Sequence, residues 1–530
     1  MNYPVWYLPG IGGGTLIAII AVSHVFVSQF AVGGGLYLVL AERKAIREND
    51  PGILEFTRKF TKFFVLLTLV YGSITGVGIW FVISLVNPAA TSLLIHNFVF
   101  AWASEWVVFL VEIVSITLYF YTFGRMDNRT HQVVGWIYFI CGWFSLFIIN
   151  GIITFMLSPG GWKKTHDVWA GFFNPTFWPA TFFRTFVALM LAGAFALLIV
   201  SFQRDAALKK TLGRFSGKWV LLAVIGGIPS GYWYLESLPG EARLLLEGRM
   251  PTISLALRYG MYAAIGLLVL TLVFSLAKPA WHNKVVAFLV LGCAFMVVGT
   301  FEWTRENARR PYVVDGSPGV FYSDSMIPAE MAAVQKKGFL PSARWTRFKD
   351  VNEKNLLAAG EELFQFQCYS CHTVGGLNND IVARTRGMTF HALEGYIERI
   401  HQIRYFMPPF AGTDTEAKAL AAWIVKDLQG GEIPPAASLL AEETTGKEPT
   451  LPGAPMGKAV FEEHCSFCHQ LGEGPNSIRK KVAGWSRDRI RQALDRLPQL
   501  NPAMPPLNAS AAEKDALADF LARLGQGGAR

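Results

Sequence analysis

Cys368-Tyr369-Ser370-Cys371-His372 and Cys465-Ser466-Phe467-Cys468-His469 are the two stretches that decide how the last third of this chain folds. Each is a Cys-x-x-Cys-His pentapeptide, the spacing of c-type haem attachment. Two thiols trap the porphyrin vinyl groups, and the adjacent histidine lands on the iron. A lone Cys-x-x-Cys reads equally well as a redox pair; two copies that each end in His do not. The pentapeptides therefore imply two haem c groups, held through Cys368, Cys371, Cys465 and Cys468 with His372 and His469 as axial ligands. They also set a compartment, because c haems are attached on the outer side of an energy-transducing membrane.

Working outward, the two motifs sit in a repeat. His372 to Met407 and His469 to Met504 are both 35 residues, and both methionines precede Pro-Pro. Sixteen residues beyond each Met comes an aromatic, Trp423 or Phe520, inside a last amphipathic stretch. An amphipathic stretch also precedes each motif, at about 356–366 and 457–463. Met407 and Met504 are thus the expected second axial ligands, with Met388 a rival in the first copy. His391, His401 and His464 read as surface residues. This layout resembles the class I cytochrome c fold in both copies, 354–430 and 456–527. A thioether opposite His gives a low-spin, six-coordinate iron that transfers electrons and binds no substrate. Domains of this size bury little apolar surface, so each haem is also a structural centre. The stretch 431–455, rich in Pro, Ala and Thr, reads as a semi-extended linker, and 312–353 as a polar linker with scattered aromatics.

The rest of the chain is membrane protein. Of its 530 residues 52% are hydrophobic, and the mean hydropathy of +0.32 is too high for a soluble enzyme of this size. Residues 11–303 hold eight apolar runs near the length that crosses a bilayer, at about 14–40, 62–86, 98–123, 132–157, 180–202, 218–236, 255–277 and 284–303. The sixth is the shortest. The first lacks a basic n-region and a small-residue cleavage site, so it reads as a retained span. Cys141 and Cys293 fall in apolar runs and read as inert. The fold class expected is all-α, a polytopic helical bundle over 1–311 followed by two cytochrome c-type domains.

The net charge of +9 has its explanation in topology and calls for no nucleic-acid partner. Loops after runs 1, 3, 5 and 7 carry Arg43, Lys44, Arg47, Arg58, Lys59, Lys62, Arg125, Arg129, Arg204, Lys209, Lys210, Arg214, Lys218, Lys278 and Lys284. The alternate loops are poorer in Lys and Arg. The positive-inside bias then places the N-terminus outside, and eight crossings return the chain outside, where haem c is attached. The expected location is a bacterial inner membrane with both the N-terminus and the cytochrome c domains periplasmic.

Ionisable groups inside spans are costly and mark function by default. His24, in the first run, reads as an axial haem ligand or as a hydrogen-bonded bundle histidine. Glu105 and Glu112, seven apart, share a helix face, as do Glu302 and Glu306, four apart. Such carboxylates suit proton relay or metal ligation, and Glu302 is a candidate catalytic group or a carboxylate at the membrane boundary.

The membrane half resembles subunit I of the cytochrome bd oxidases. The resemblance is carried by His24 followed by Leu40-Ala41-Glu42-Arg43, by Tyr71-Gly72-Ser73-Ile74-Thr75-Gly76-Val77-Gly78, by Phe123-Gly124 and His131-Gln132-Val133-Val134-Gly135-Trp136, and by Glu306-Asn307-Ala308-Arg309-Arg310-Pro311-Tyr312. It implies that His24 and Glu306 ligate a pair of b- or d-type haems, one or two such groups in all. It also puts Glu112 and Ser145 on a proton channel, with Glu105 beside them. Three departures stand out. Arg184 occupies the place of the family's low-spin haem histidine, and a guanidinium is donor-only. Met261 falls one residue late for that haem's second ligand. The loop where the family binds quinol is short, about 238–254.

These readings converge on a membrane-bound electron-transfer protein. In it, the c haems pass electrons to a membrane haem pair that reduces oxygen to water with proton uptake. A periplasmic cytochrome c or quinol is the expected donor, and other respiratory subunits are expected partners. Two alternatives stay open: a quinol dehydrogenase whose c haems deliver electrons outward, and a non-catalytic electron-conducting subunit of a larger complex.

Overall fold

The structure is a computed structural model. It describes residues 3–308, 322, 324–404, 406–441, 454–466, 469, 471, 477–500, 504, 506–507 and 509–526. Among these there is no strand, only an isolated bridge between Thr373 and Asp380. The chain divides into two compact units, one of Leu16–Val313 and one of Met1–Thr15 with Val314–Arg530.

Among the described residues of the membrane unit seven helices are long and apolar enough to span a bilayer. They are α1 (Gly13–Glu48), α2 (Pro51–Val86), α3 (Val99–Thr122), α4 (Asn128–Phe155), α5 (Phe177–Val200), α7 (Thr252–Ala277) and α8 (Lys284–Ala308). The sixth expected run, 218–236, is the C-terminal part of a longer helix, α6 (Ala206–Glu236). Its basic first half and its Gly-Gly-Ile-Pro-Ser-Gly segment dilute the apolar character below that of the other seven.

Aspartates start the three helices that follow the most basic loops. The Asp50 side chain accepts from Gly52 N and Ile53 N at 2.8 and 3.1 Å, ahead of Pro51 in the first turn of α2. Asp127 caps α4 through Arg129 N and Thr130 N, and Asp205 caps α6 through Leu208 N. Each satisfies donors that a helix start leaves orphaned and adds favourable charge at its positive end.

α5 lies at the centre and is the most deeply buried of these seven helices. It is met by α1 so closely that a Cβ on Gly33 would stand 1.9 Å from the Ala188 carbonyl oxygen. Around that crossing Phe30, Phe60, Phe64, Phe195, Tyr37 and Trp219 form the core, and the Tyr37 and Ser216 hydroxyls are 2.8 Å apart. The outer faces stay apolar and exposed, as at Trp106, Ile228 and Val285; in a bilayer such faces meet lipid tails or neighbouring helices.

In the second unit, the first cytochrome c-like domain crosses α9 (Leu356–Gln367) with α10 (Asp414–Trp423), and the second crosses α11 (Ala454–His464) with α12 (Ala511–Gln526). Glycine makes both crossings possible. A Cβ on Gly360 would lie 2.2 Å from Ala419 O, and one on Gly457 would lie 2.2 Å from Ala516 O. Phe364 packs on Trp423 (5.2 Å between ring centres) and Phe461 on Phe520 (6.0 Å).

The stretch read as a polar linker, 312–353, holds two helices over its described part, Pro328–Lys337 and Phe339–Ser342. They dock on the first domain. The Glu416 carboxylate accepts from Phe339 N and Leu340 N at 2.8 and 2.7 Å, and Glu362 accepts from Arg347 N and Phe348 N at 2.6 and 2.9 Å. Two buried carboxylates are satisfied by backbone donors from this segment, a pairing that local composition does not display.

Candidate functional site

In the first cytochrome c-like domain α9 ends at Cys368, and the chain turns so that Cys371 N and His372 N both donate to Cys368 O, at 3.0 and 2.9 Å. His372 Nδ1 donates to Asn379 O at 2.9 Å. Asn379 takes the left-handed conformation (φ 46°) as it presents that carbonyl. With Nδ1 committed as donor, Nε2 is the nitrogen left to ligate a metal. The thiols, the oriented imidazole and the thioether of Met407 fit a covalently held haem. Burial pushes the Cys368 thiol up to about 12.

The loop bearing Met407 is fixed at two points. His401 Nδ1 donates to Met407 O at 2.6 Å, and the Gln367 side chain bonds Ala411 N and O, both at 2.9 Å. His401, expected at the surface, is half-buried and holds the loop that carries the ligand. In the second domain Cys465, His469 and Met504 are described, while Cys468 lies outside the described residues. Arg399 of the first domain donates to Glu463 O at 2.6 Å and meets His464 Nδ1 at 3.3 Å. The first domain thus touches the residues just before Cys465.

Residues 3–15 belong to this unit as well. Val374 N donates to Pro9 O at 2.9 Å, Leu8 N donates to the Tyr369 hydroxyl at 3.1 Å, and the Tyr7 and Tyr369 rings meet edge-on at 5.1 Å. Gly376 has no room for a Cβ, which would fall 2.2 Å from Gly10 O. The chain start therefore straps the first haem motif. Its signal in the sequence was faint, a short Tyr-Pro-Val-Trp-Tyr-Leu-Pro-Gly segment ahead of the first apolar run.

In the membrane unit His24 lies on α1, its Nδ1 3.0 Å from Thr75 Oγ1. That hydroxyl in turn donates to Tyr71 O at 2.8 Å, beside a π-helical stretch, Leu66–Gly72, inside α2. π-bulges of this kind recur at functional sites. A Cβ on Gly76 would press within 3.1 Å of His24 Cε1, so the glycines of α2 keep open the space around the ring. Those features fit a haem ligand held by its Nδ1 side.

Glu306 is half-buried near the end of α8, next to Arg305. α8 runs antiparallel to α1: Phe26 meets Phe295 at 5.1 Å, and a Cβ on Gly299 would lie 3.9 Å from Val22. Continuing that register with the helical rise puts His24 and Glu306 about 13 Å apart along the bundle. That is too far for one iron and suits one ligand to each of two.

Arg184 and Glu302, 118 residues apart in sequence, are ion-paired at 2.8 Å and nearly inaccessible. Arg305 Nε donates to the other Glu302 oxygen at 2.8 Å, and the Arg184 guanidinium lies over Phe301. Glu302, a candidate catalytic group from its position alone, is here held between two guanidinium groups. Met261 is 56% exposed and so faces away from the bundle.

Glu105, Glu112 and Ser145 come together between α3 and α4. Ser145 Oγ donates to Glu105 Oε1 at 2.9 Å and also faces Glu112. Gly142 makes room for Glu112, whose Oε2 would be 3.5 Å from a Cβ there. Glu112 is buried, and its Oε1 has no hydrogen-bond partner among the described residues.

Residues 15–233 match the family model "Cytochrome bd terminal oxidase subunit I". Residues 355–424 and 453–521 match the model "Cytochrome C oxidase, cbb3-type, subunit III". The membrane half thus resembles cytochrome bd subunit I and the C-terminal part resembles two tandem cytochrome c domains. Two relatives stand with the first resemblance. The "Putative cytochrome bd menaquinol oxidase subunit I" of Bacillus subtilis (strain 168) is 26% identical over 238 residues, covering 42% of this chain and 52% of that protein. The chain therefore spans about half the length of that curated relative. The solved bd oxidase structure from Geobacillus thermodenitrificans superposes with a TM-score of 0.51 at 18% identity, covering 58% of this chain and 90% of that one. At that identity the likeness speaks for the fold: a bd-type helical bundle joined to helical cytochrome c domains.

Proposed function

We propose that the protein is a respiratory terminal oxidase of bd-like type in which two c haems serve as the electron inlet in place of a low-spin b haem. The observation that carries this reading is the Arg184–Glu302 ion pair. The position that would supply a low-spin ligand is occupied by a buried, charge-compensated arginine. Met261, the nearest candidate for that haem's other ligand, points outward. An electron entering the membrane unit then needs another route, and the two Cys-x-x-Cys-His domains offer one.

In this reading His372 with Met407, and His469 with Met504, would hold the two c haems, which would serve electron transfer. His24 and Glu306 would hold the membrane haems. Bound there, such haems supply the redox equivalents and the site for oxygen reduction. The chain supplies positioning through Thr75 and protons through Glu112, Ser145 and Glu105. The c domains lie on the periplasmic side, as haem attachment demands, and a periplasmic cytochrome c is the donor. Helical partner subunits cover the exposed apolar faces.

The test is oxygen consumption by the purified protein with a reduced cytochrome c, together with carbon monoxide difference spectra. The reading expects turnover and a carbon monoxide shift confined to the membrane haems. Oxygen inertness with every donor, or c haem alone, overturns it. The relative's description as a menaquinol oxidase subunit favours a second reading with quinol as donor, to which quinol-site inhibitors would respond.

A further inference from the structure

Four polar side chains form a closed cluster at the end of α3 and α4 opposite Glu105. Glu42 of α1 is 3% exposed and His131 of α4 is 2% exposed. His131 Nδ1 lies 2.6 Å from Glu42 Oε1, and His131 Nε2 lies 2.8 Å from Tyr119 O. The Tyr119 hydroxyl donates to Glu42 Oε2 at 2.8 Å, and Gln132 donates to the same oxygen. The Tyr119 ring stacks on His131 at 4.1 Å.

Hydrogen-bond logic fixes the protons. A backbone carbonyl only accepts, so Nε2 carries a hydrogen. A bare Nδ1 and an ionised carboxylate oxygen would then be two acceptors in contact. The 2.6 Å contact therefore holds at least one proton, on the ring or on the acid. Tyr119 and His131 are the ionisable groups bonded to Glu42. Lys44 and Arg47 of its own helix pair with Glu48 instead, and Asp127 is committed to its cap.

The cluster also lies in register with the carboxylates above it. Glu105, Glu112 and Tyr119 are spaced by seven along α3, and His131, Tyr138 and Ser145 by seven along the antiparallel α4. Seven residues rise about 10 Å. Buried Tyr119 and Tyr138 span that interval, and Tyr138 donates to Ala31 O of α1 at 3.2 Å.

We propose that the Glu42–His131 pair is the loading station that takes up protons and passes them by way of the Tyr119–Tyr138 interval to Glu112. It rests on the oxidase reading and adds the entry to its proton path. A purely structural role would make the cluster a clamp tying three helix ends together.

The experiment uses the full protein with its haems, reconstituted in vesicles, and compares wild type with Glu42→Gln, Glu42→Asp and Tyr119→Phe. The rates of haem reduction by donor, proton uptake and oxygen turnover are followed from pH 5.5 to 9. The expected result for Glu42→Gln is unchanged haem content and haem reduction, with proton uptake and turnover down about tenfold or more and a flattened pH profile. Glu42→Asp restores most of both. Turnover and pH profile equal to wild type in Glu42→Gln overturn the proposal. If Glu42→Gln loses its membrane haems, Tyr119→Phe decides: slowed proton uptake with haems intact supports the station, and wild-type uptake overturns it. A wild-type protein that never consumes oxygen fails the oxidase reading itself, a result distinct from these.

Discussion

Glu302 and Glu112 are both buried carboxylates in one helical bundle, and their surroundings are opposite. Glu302 is gripped by Arg184 and Arg305, each at 2.8 Å. Glu112 is buried with no cation in salt-bridge reach among the described residues. A carboxylate salt-bridged through both oxygens is held in place; losing it leaves two guanidinium groups uncompensated. An unpaired one, next to a serine and a second carboxylate, has freedom to exchange a proton. The difference separates a carboxylate that holds the bundle's shape from one that, in the proposed reading, moves protons, although both glutamates look alike as charged letters in apolar runs.

The largest effect should come from breaking the paired side. Glu302→Ala strands Arg184 and Arg305 and should destabilise the bundle by about 3–5 kcal/mol, read as loss of the folded, haem-loaded protein in detergent melts. Glu112→Gln, near-isosteric and with no ion pair to break, should leave the melt unchanged while turnover falls by about tenfold or more. If both variants merely unfold, the contrast is gone. The double variant Arg184→Leu with Glu302→Leu sharpens it: Arg305 is then left beside Glu306, and the loss should be smaller than the sum of the singles, a coupling of about 2–5 kcal/mol in a double-mutant cycle. Simple additivity would deny the pairing.

A third carboxylate checks the same rule outside the membrane. Asp324 is 2% exposed with one oxygen unpartnered among the described residues, and burial raises its pKa to about 7. The folded state therefore holds a proton that the unfolded chain releases near pH 4, so stability falls as pH rises from about 4 through 7. Asp324→Asn should raise the melting temperature of the second unit at pH 8 and leave it unchanged at pH 4. The smallest effect expected is that of Ser145→Ala, a few-fold loss of turnover with no change in the melt, since one hydroxyl bonded to Glu105 is removed.

Much of the fold was legible because its signals are local. Apolar runs of bilayer length predict helices α1 to α8, and twin pentapeptides with matched methionines predict two small domains. The cytochrome bd likeness was readable in motifs around His24 and His131. What remained hidden is long-range pairing. The sequence shows Arg184 only as a departure from the family's ligand and Glu302 only as a candidate catalytic group or boundary carboxylate, because no periodicity tells that residues 118 apart share an ion pair. The strap at Tyr7–Pro9, the docking of 328–349 through Glu362 and Glu416, and the hold of His401 on Met407 were missed for the same reason. Glu42 was legible only as part of a motif; its bond to His131 needed α1 and α4 to be assembled.

The central claim is that c haems stand in for a low-spin b haem. A haem-type count with a reduced-minus-oxidised spectrum, before and after carbon monoxide, tests it most directly. The account predicts two c haems per chain, no low-spin b band, and a carbon monoxide shift in the membrane haems alone. A low-spin b haem in stoichiometric amount, unmoved by carbon monoxide, would contradict it.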